Sequence, residues 1–156
     1  MLPLAEVLKK NQSLETLKLN FNRIGIKASQ SIAFALGNHT NVQNEFLTTL
    51  VLVGNDVGDE GSKALGQALG YNRTLTELVL ADNNITDRGT KALVKDLKNN
   101  ANTVLQRLNL SVNFITDEGA KYLASSAKVS NLTSLFLDQN LICESQCDHA
   151  DLRVPY

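Results

Sequence analysis

One leucine pattern returns five times along the chain and fixes its overall organisation. The pattern is Leu-x-x-Leu-x-Leu-x-x-Asn, and its first leucines are Leu14, Leu47, Leu75, Leu105 and Leu132. They are separated by 33, 28, 30 and 27 residues, which leaves room in each unit for a strand, a turn and a full helix. Units of this kind bury their leucines against neighbouring units, so the sequence predicts one stacked, elongated solenoid.

The second half of each unit carries its own pattern, x-Ile-x-Asp-x-Gly-x-x-x-Leu-x-x-x-Leu. The third unit shows it in Asn83, Ile85, Asp87, Gly89, Leu93 and Leu97. The four-residue step between leucines places one apolar stripe on a helix. We expect Asp59, Asp87 and Asp117 to cap the helix that follows each of them, and the glycine one turn later to let neighbouring elements approach closely.

This frame resembles the ribonuclease-inhibitor type of leucine-rich repeat, also seen in the C-terminal arrays of nucleotide-binding immune receptors and in the Ran GTPase-activating protein. The resemblance covers about residues 4–142. It implies an α/β solenoid, a curved horseshoe segment with a parallel β-sheet on the concave face and helices on the convex face. It also implies a structural ladder of asparagines that bond backbone groups of adjacent repeats at the turns. These asparagines are Asn22, Asn55, Asn83, Asn113 and Asn140.

We interpret residues 1–156 as a single leucine-rich repeat domain. The repeats are 14–46, 47–74, 75–104 and 105–131, and residues 132–156 hold the last repeat and a C-terminal cap. Residues 1–13 match only the back half of a repeat. They are either an N-terminal cap that starts at Pro3 or part of a longer array.

The first complete repeat departs from the frame in two places. Ile26 and Ala28 stand where the frame has Asp and Gly, so we expect its helix to start differently from the others. The span between Leu36 and Leu47 is longer than its counterpart in the next repeat and is polar. It is therefore predicted to project as a loop from one rim.

Residues that alternate with the strand leucines face the concave surface and remain available for function. The candidate partner-binding residues there are Lys18, Val51, Val53, Glu77, Val79, Arg107, Asn109, Phe136 and Asp138. An apolar patch on adjacent strands comprises Val51, Val53, Val79 and Ala81. This patch is either a contact surface or a consequence of the strand propensity of valine. Glu77 and Arg107 are expected to form a surface ion pair, with Arg107 also a candidate anchor for a partner.

Composition argues against several other classes of function. The chain has 15 Lys and Arg against 16 Asp and Glu, so no cationic field favours nucleic acid or an anionic membrane. It contains no Gly-rich phosphate loop, no Ser/His/Asp set and no His-Glu-x-x-His motif. Because its histidines are only His39 and His149, few general bases are available. We therefore expect no enzyme activity and no cofactor.

The C-terminal stretch holds residue types that bind zinc, namely Cys143, Cys147 and His149. Their spacing matches no zinc module and a fourth ligand is missing unless Asp148 serves, so we expect cap residues rather than a metal site. With no other cysteine in the chain, no disulfide framework supports the fold, which fits a cytoplasmic protein. A secreted effector that acts in a host cytosol is the alternative.

The expected function is non-catalytic binding of a protein partner on the concave face, in a fragment of a larger sensor-, scaffold- or effector-type protein. Two alternatives remain open. One is a GTPase-activating protein of the Ran type, although the acidic tail typical of that family is absent. The other is an array that self-associates through its solenoid ends.

Overall fold

The computed structural model describes residues 3–37, 44–99, 104–127 and 131–143, and within these ranges helices alternate with short strands. The helices are α1 (Pro3–Lys10), α2 (Gly25–Leu36), α3 (Gly58–Leu69), α4 (Asp87–Asn99) and α5 (Asp117–Ala127). The strands are β1 (Thr16–Lys18), β2 (Thr49–Val51), β3 (Glu77–Val79), β4 (Arg107–Asn109) and β5 (Ser134–Phe136).

The described strands form one parallel sheet whose spatial order is the order of the chain, from β1 to β5. The middle leucines of the strands are register partners across the whole sheet: Leu17, Leu50, Leu78, Leu108 and Leu135. Each position of the repeat therefore forms a continuous row from strand to strand. The predicted α/β solenoid with a parallel sheet is confirmed.

The frame leucines fill the space between the sheet and the helices. Leu50, Leu78 and Leu108 are completely buried and belong to one cluster with the helix residues Leu65 and Leu93. In the first repeat the burial is incomplete, because no described strand lies beyond β1. There, Leu17 and Leu19 are only half-buried and Leu14 is exposed.

The chain leaves each strand through a turn with left-handed backbone. In each described repeat, the residue before the ladder asparagine has a φ between 55° and 64°. These residues are Phe21, Gly54, Asp82, Val112 and Gln139. A glycine adopts this conformation freely, whereas a β-branched residue such as valine is strained in it. The described repeats therefore share one turn conformation, although different residue types occupy the position.

The aspartates of the repeat frame bond the next repeat rather than their own helix, which corrects the sequence-based prediction. Asp87 Oδ1 accepts the N–H groups of Thr116 and Gly119 at 2.8 and 3.1 Å, and its Oδ2 accepts the Thr116 hydroxyl at 2.6 Å. Asp59 accepts the Thr86 N–H and hydroxyl in the same way, at 2.9 and 2.8 Å. Each aspartate lies in the first turn of its own helix, beside the start of the next one, where backbone N–H groups lack helical partners.

The glycines of the frame make room for these aspartates. A Cβ on Gly89 would lie 2.3 Å from Asp59 Oδ1 and 2.8 Å from the Asp59 Cα. A Cβ on Gly119 would likewise lie 2.3 Å from Asp87 Oδ1. The aspartate of one repeat and the glycine of the next therefore act as a pair that sets the distance between consecutive helices.

The helix of the first complete repeat starts at the same frame position as α3 and one residue earlier than α4 and α5, so the expected difference holds against α4 and α5 but not against α3. α2 begins at Gly25 and α3 at Gly58, with φ values of 66° and 60°. The Gly25 N–H donates to the Asn55 carbonyl at 2.8 Å, and the Gly58 N–H donates to the Asn83 carbonyl at 2.9 Å. These backbone bonds between repeats hold the first residue of both helices.

Part of the predicted loop, residues 38–43, lies outside the described residues. The two ends of the span are anchored, because Gly37 and Asn44 are both buried. Asn44 Nδ2 donates to the Leu8 carbonyl at 2.7 Å, and a Cβ on Gly37 would lie 2.3 Å from the Ala68 carbonyl oxygen. The two described ends of the span are therefore held against α1 and α3.

Candidate functional site

One surface of the sheet is turned away from the helices, and we call it the open sheet face. It carries three rows of side chains that alternate with the buried leucines. The first row is Thr16, Thr49, Glu77, Arg107 and Ser134, and the second is Lys18, Val51, Val79, Asn109 and Phe136. The third row, just beyond the strands, is Asn20, Val53, Ala81, Ser111 and Asp138. The open sheet face thus contains all nine candidate partner-binding residues.

The apolar residues of the open sheet face are concentrated on β2 and β3. Val51 and Val79 are register partners, and both are half-buried. Val53 and Ala81 follow them in the chain and are half-buried too. Phe136 is 45% exposed but is separated from Val79 by Asn109 in the same row. The structure therefore brings the valines together and leaves Phe136 at the far end of the row.

The two predicted ion-pair partners lie opposite each other on β3 and β4. Arg107 Nη2 is 3.1 Å from Glu77 Oε2, and the Arg107 side chain is 56% exposed. An exposed pair of this kind contributes less than about 1 kcal/mol to stability. The guanidinium can therefore leave Glu77 for a ligand at little cost.

Polar residues of the open sheet face are held mainly by bonds within and between neighbouring turns. The Ser111 N–H donates to Asn109 Oδ1 at 2.9 Å, and the Ser111 hydroxyl donates to Asp138 Oδ2 at 3.3 Å. Lys18 is exposed on β1. The sheet thus presents an apolar centre between a lysine at one side and fixed amide and carboxylate groups at the other.

The ladder asparagines lie at the carboxyl end of the sheet. Asn22 Nδ2 donates to the Asn20 carbonyl of its own turn, whereas the other four join their repeats to the preceding ones. Asn83 Oδ1 accepts the N–H groups of Asn55 and Val57 at 3.2 and 3.1 Å, and its Nδ2 donates to the Leu52 carbonyl at 2.8 Å. Asn55 and Asn113 make the same three kinds of contact with their preceding repeats. Asn140 Oδ1 accepts from Ile115, and its Nδ2 donates to Leu110.

A second group of asparagines, missed by sequence reasoning, lies at the other end of the sheet. Asn72 Oδ1 accepts the Leu75 N–H at 2.7 Å, and its Nδ2 donates to the Leu36 carbonyl at 2.8 Å. Asn44 makes the equivalent bonds one repeat earlier. The signal was available in the sequence, because these asparagines stand three residues before the first leucine of their repeats.

Three exposed apolar side chains at the turns of the last repeats were also missed. Val112, Phe114 and Leu141, which we call the turn patch, are 42%, 51% and 60% exposed. The positions of Val112 and Phe114 hold Asp82 and Asn84 in the repeat before. Comparing the residues on either side of each ladder asparagine would have found them.

Phe114 also lines an open groove of about 710 Å³ beside α4 and α5, together with Lys91, Lys95 and Tyr122. Lys91 forms an ion pair with Glu118. The hydrogen bond with Glu118 raises the pKa of Lys91 above its ordinary value. Lys91 is already paired with Glu118, and the carboxylate of Asp87 also lines the groove. The groove therefore does not form a cationic site for an anion.

The described ranges contain no group of three or more His, Cys, Asp or Glu residues able to hold a metal ion. Cys143 is exposed, and its N–H donates to Asp117 Oδ1 at 2.8 Å. The other candidates for a zinc site, Cys147, Asp148 and His149, lie outside the described residues. None of the helices in the described part of the chain combines the length and apolar composition of a membrane span.

Sequence comparison shows the family. A model described as leucine-rich repeat matches residues 10–27, 43–66, 71–94 and 101–124, which together are more than half of the chain. The chain therefore belongs to the leucine-rich repeat family. Comparison with curated proteins found no match. Membership of the ribonuclease-inhibitor type stays a prediction.

One solved structure supports the fold, and a second gives a weaker alignment. Leiomodin-1 actin-binding site 2 aligns with a TM-score of 0.75 and 22% sequence identity, over 85% of this chain and 76% of that one. An internalin from Listeria monocytogenes aligns with a TM-score of 0.40 and 24% identity, over 92% of this chain and 46% of that one. At these identities the leiomodin-1 likeness supports the solenoid fold alone.

Proposed function

We propose that this leucine-rich repeat domain is a non-catalytic module that binds a protein partner on the open sheet face. The observation that carries the proposal is the register of that face, which places Val51 beside Val79 and Arg107 in the neighbouring row. These side chains are positioned by the parallel backbone bonding of the sheet, while the core is filled by the leucines between them. A surface held in this way loses little conformational entropy when a partner binds.

The chemistry of the open sheet face suits a protein ligand. Half-buried valines at its centre can be covered by apolar side chains of a partner, and each square ångström removed from water contributes about 25 cal/mol. Arginine and aromatic residues such as Arg107 and Phe136 are the types enriched at the energetic centres of interfaces. Lys18, Glu77, Asn109 and Asp138 would then form a polar rim.

The name of one structural neighbour supports the class of ligand. Leiomodin-1 actin-binding site 2 is named for a protein that it binds, so the same fold serves protein recognition there. Its 22% identity to this chain carries no information about which protein is bound here. Actin is therefore only the first candidate to assay.

The test is the double variant Val51→Asp/Val79→Asp. A matched control is Gln30→Asp/Gln67→Asp, which adds the same negative charge at two exposed positions on α2 and α3. Actin cosedimentation and affinity capture from a lysate are carried out with the wild type and both variants, after circular dichroism shows that each variant is folded. We expect the partner's affinity to fall by at least about tenfold for the valine variant only.

Two outcomes would contradict the proposal. If the folded valine variant keeps full affinity for every captured partner, the open sheet face is not the binding surface. If the protein accelerates GTP hydrolysis by a small GTPase, the module is not confined to binding, and the Ran-type alternative gains support.

A further inference from the structure

The described turns at the carboxyl end of the sheet stack on one another and form a ridge. The Asp82 N–H donates to the Ser111 carbonyl of the next turn at 3.1 Å. The Val112 N–H donates in the same way to the Asp138 carbonyl at 2.8 Å. Each turn therefore lies one strand spacing, about 4.8 Å, from the next. We call the residues on either side of each ladder asparagine the turn ridge: Phe21, Arg23, Gly54, Asp56, Asp82, Asn84, Val112, Phe114, Gln139 and Leu141.

The chemistry of the turn ridge changes along the array. Asp56, Asp82 and Asn84 are exposed in the second and third repeats, and the turn patch is exposed in the fourth and fifth. Asp56 and Asn84 belong to repeats that have described strands on both sides. Exposure is therefore a property of this frame position, and Phe114 and Leu141 occupy the same position as Asn84.

The members of the turn patch are neighbours, and the patch adjoins a groove. Val112 and Phe114 lie on either side of the buried Asn113. The Leu141 N–H donates to the Ile115 carbonyl at 2.8 Å, which places Leu141 one turn beyond Phe114. Phe114 also lines the groove of about 710 Å³ beside α4 and α5. Exposed apolar side chains that cluster in this way mark an interaction surface, and the groove has room for an apolar side chain of a ligand.

Two carboxylates lie beside the turn patch. Asp82 occupies the frame position of Val112 one turn earlier, and the exposed Asp138 accepts a hydrogen bond from Ser111. Neither Asp82 nor Asp138 has an ion-pair partner among the residues that the structure describes. Within the described turns, Arg23 is the one cation of the ridge, and it lies three turns from Val112. The potential beside the patch is therefore negative, which favours a cationic side chain of a ligand there.

The groove beyond Phe114 gives a cation no such advantage. Lys95 lines the groove and is exposed. The Asp87 carboxylate, which also lines it, already accepts hydrogen bonds from Thr116. A cationic side chain of a ligand is therefore favoured at Asp82, and an apolar side chain is favoured in the groove.

We propose that the turn ridge is a second binding surface, which takes a segment of a partner protein that carries a basic side chain beside apolar ones. The apolar side chains cover the turn patch, one of them enters the groove beside Phe114, and the basic side chain lies against Asp82. The turns of Asp82 and Leu141 are two strand spacings apart, about 10 Å, which an extended segment of about three residues spans. This surface is separate from the open sheet face.

The probes are two fluorescein-labelled peptides, Gly-Arg-Val-Phe-Leu-Gly and the same residues in reverse order, so that both chain directions are tested. Control peptides carry Glu in place of Arg. The variant Val112→Asp/Phe114→Asn gives the fourth turn the ridge residues of the third, so it is expected to fold. Asp82→Asn removes a charge and keeps a residue that tolerates positive φ. Its matched control is Glu15→Gln, which removes an exposed carboxylate at the amino end of the sheet.

Binding is measured by fluorescence anisotropy, after circular dichroism shows that each variant is folded. We expect an Arg peptide to bind the wild type and to lose at least about tenfold in affinity with Val112→Asp/Phe114→Asn, although this variant adds a negative charge. Asp82→Asn should weaken binding about two- to fivefold, and Glu15→Gln should leave it unchanged. The Glu peptides should bind more weakly than the Arg peptides.

The proposal is overturned if neither Arg peptide binds at millimolar concentration, or if Val112→Asp/Phe114→Asn binds as tightly as the wild type. It is equally overturned if Val51→Asp/Val79→Asp abolishes binding, because the peptide then occupies the open sheet face. Concentration-dependent oligomerisation of the protein alone that Val112→Asp/Phe114→Asn abolishes would also contradict it, since the occupant would then be a second copy of this chain.

Discussion

At the scale of the residue, Val112 combines two properties that work against stability. Its φ of 56° lies in the left-handed region, where a β-branched side chain is strained by about 1 to 3 kcal/mol. Its side chain is also 42% exposed, so burial offsets little of that strain. Val112 therefore makes its turn less stable than a residue that tolerates positive φ would.

We predict that Val112→Asn stabilises the protein by about 1 kcal/mol, because asparagine tolerates positive φ. The matched control is Asp82→Val, which puts valine at the same turn position one repeat earlier and should destabilise the protein by a similar amount. Urea denaturation of both variants measures the two changes. If both variants change the free energy of unfolding slightly and in the same direction, valine does not strain these turns.

At the scale of the element, consecutive helices are joined by the aspartate of one repeat and the N–H groups of the next. Partial burial raises the pKa of Asp87, but hydrogen bonds from Thr116 and Gly119 outweigh it, so the pKa lies below its ordinary value of 3.8. A carboxyl with a lowered pKa in the folded state stabilises the fold above its unfolded pKa. That stabilisation is lost as the pH falls through the folded pKa.

We predict that Asp87→Asn lowers the free energy of unfolding by about 1 kcal/mol at neutral pH. The difference from the wild type should persist above the ordinary pKa of 3.8 and shrink as the pH falls below it through the lowered pKa of the folded state. Urea denaturation at a series of pH values measures it. A difference that grows on acidification would mean that the carboxylate is not the stabilising species.

This arrangement shows what local sequence reasoning can and cannot find. The Asp and Gly positions were recognised as structural because their spacing recurs in Asp59/Gly61, Asp87/Gly89 and Asp117/Gly119. The direction of the bonds was assigned wrongly, because a helix-capping rule considers one helix and the actual partner belongs to the next repeat. The likeness of α2 to α3 was missed for the same reason, since both helices begin at a glycine whose N–H bonds the following repeat.

At the scale of the whole molecule, each repeat depends on its neighbours for burial. Leu78 and Leu17 are equivalent by register, yet Leu78 is completely buried and Leu17 is half-buried at the sheet edge. The contribution of a frame leucine to the free energy of unfolding therefore depends on whether repeats flank it on both sides.

We predict that Leu78→Ala destabilises the protein by about 2 to 5 kcal/mol, because it leaves a cavity in a closed part of the core. Leu17→Ala should cost less than half as much, because the site is already partly open to water. Chemical denaturation followed by circular dichroism compares the two variants. Equal losses would indicate that the first repeat is as fully covered as the third.

The sequence by itself determined the class of fold, because a periodic pattern of leucines and asparagines can be satisfied only by stacking like units. It also determined which strand residues share a face, because the register follows the period of the repeat. Only the tertiary structure decided which repeat each Asp and Asn bonds and how exposed the turn patch is. These features depend on contacts between residues about thirty positions apart, and a pattern within one repeat does not contain them.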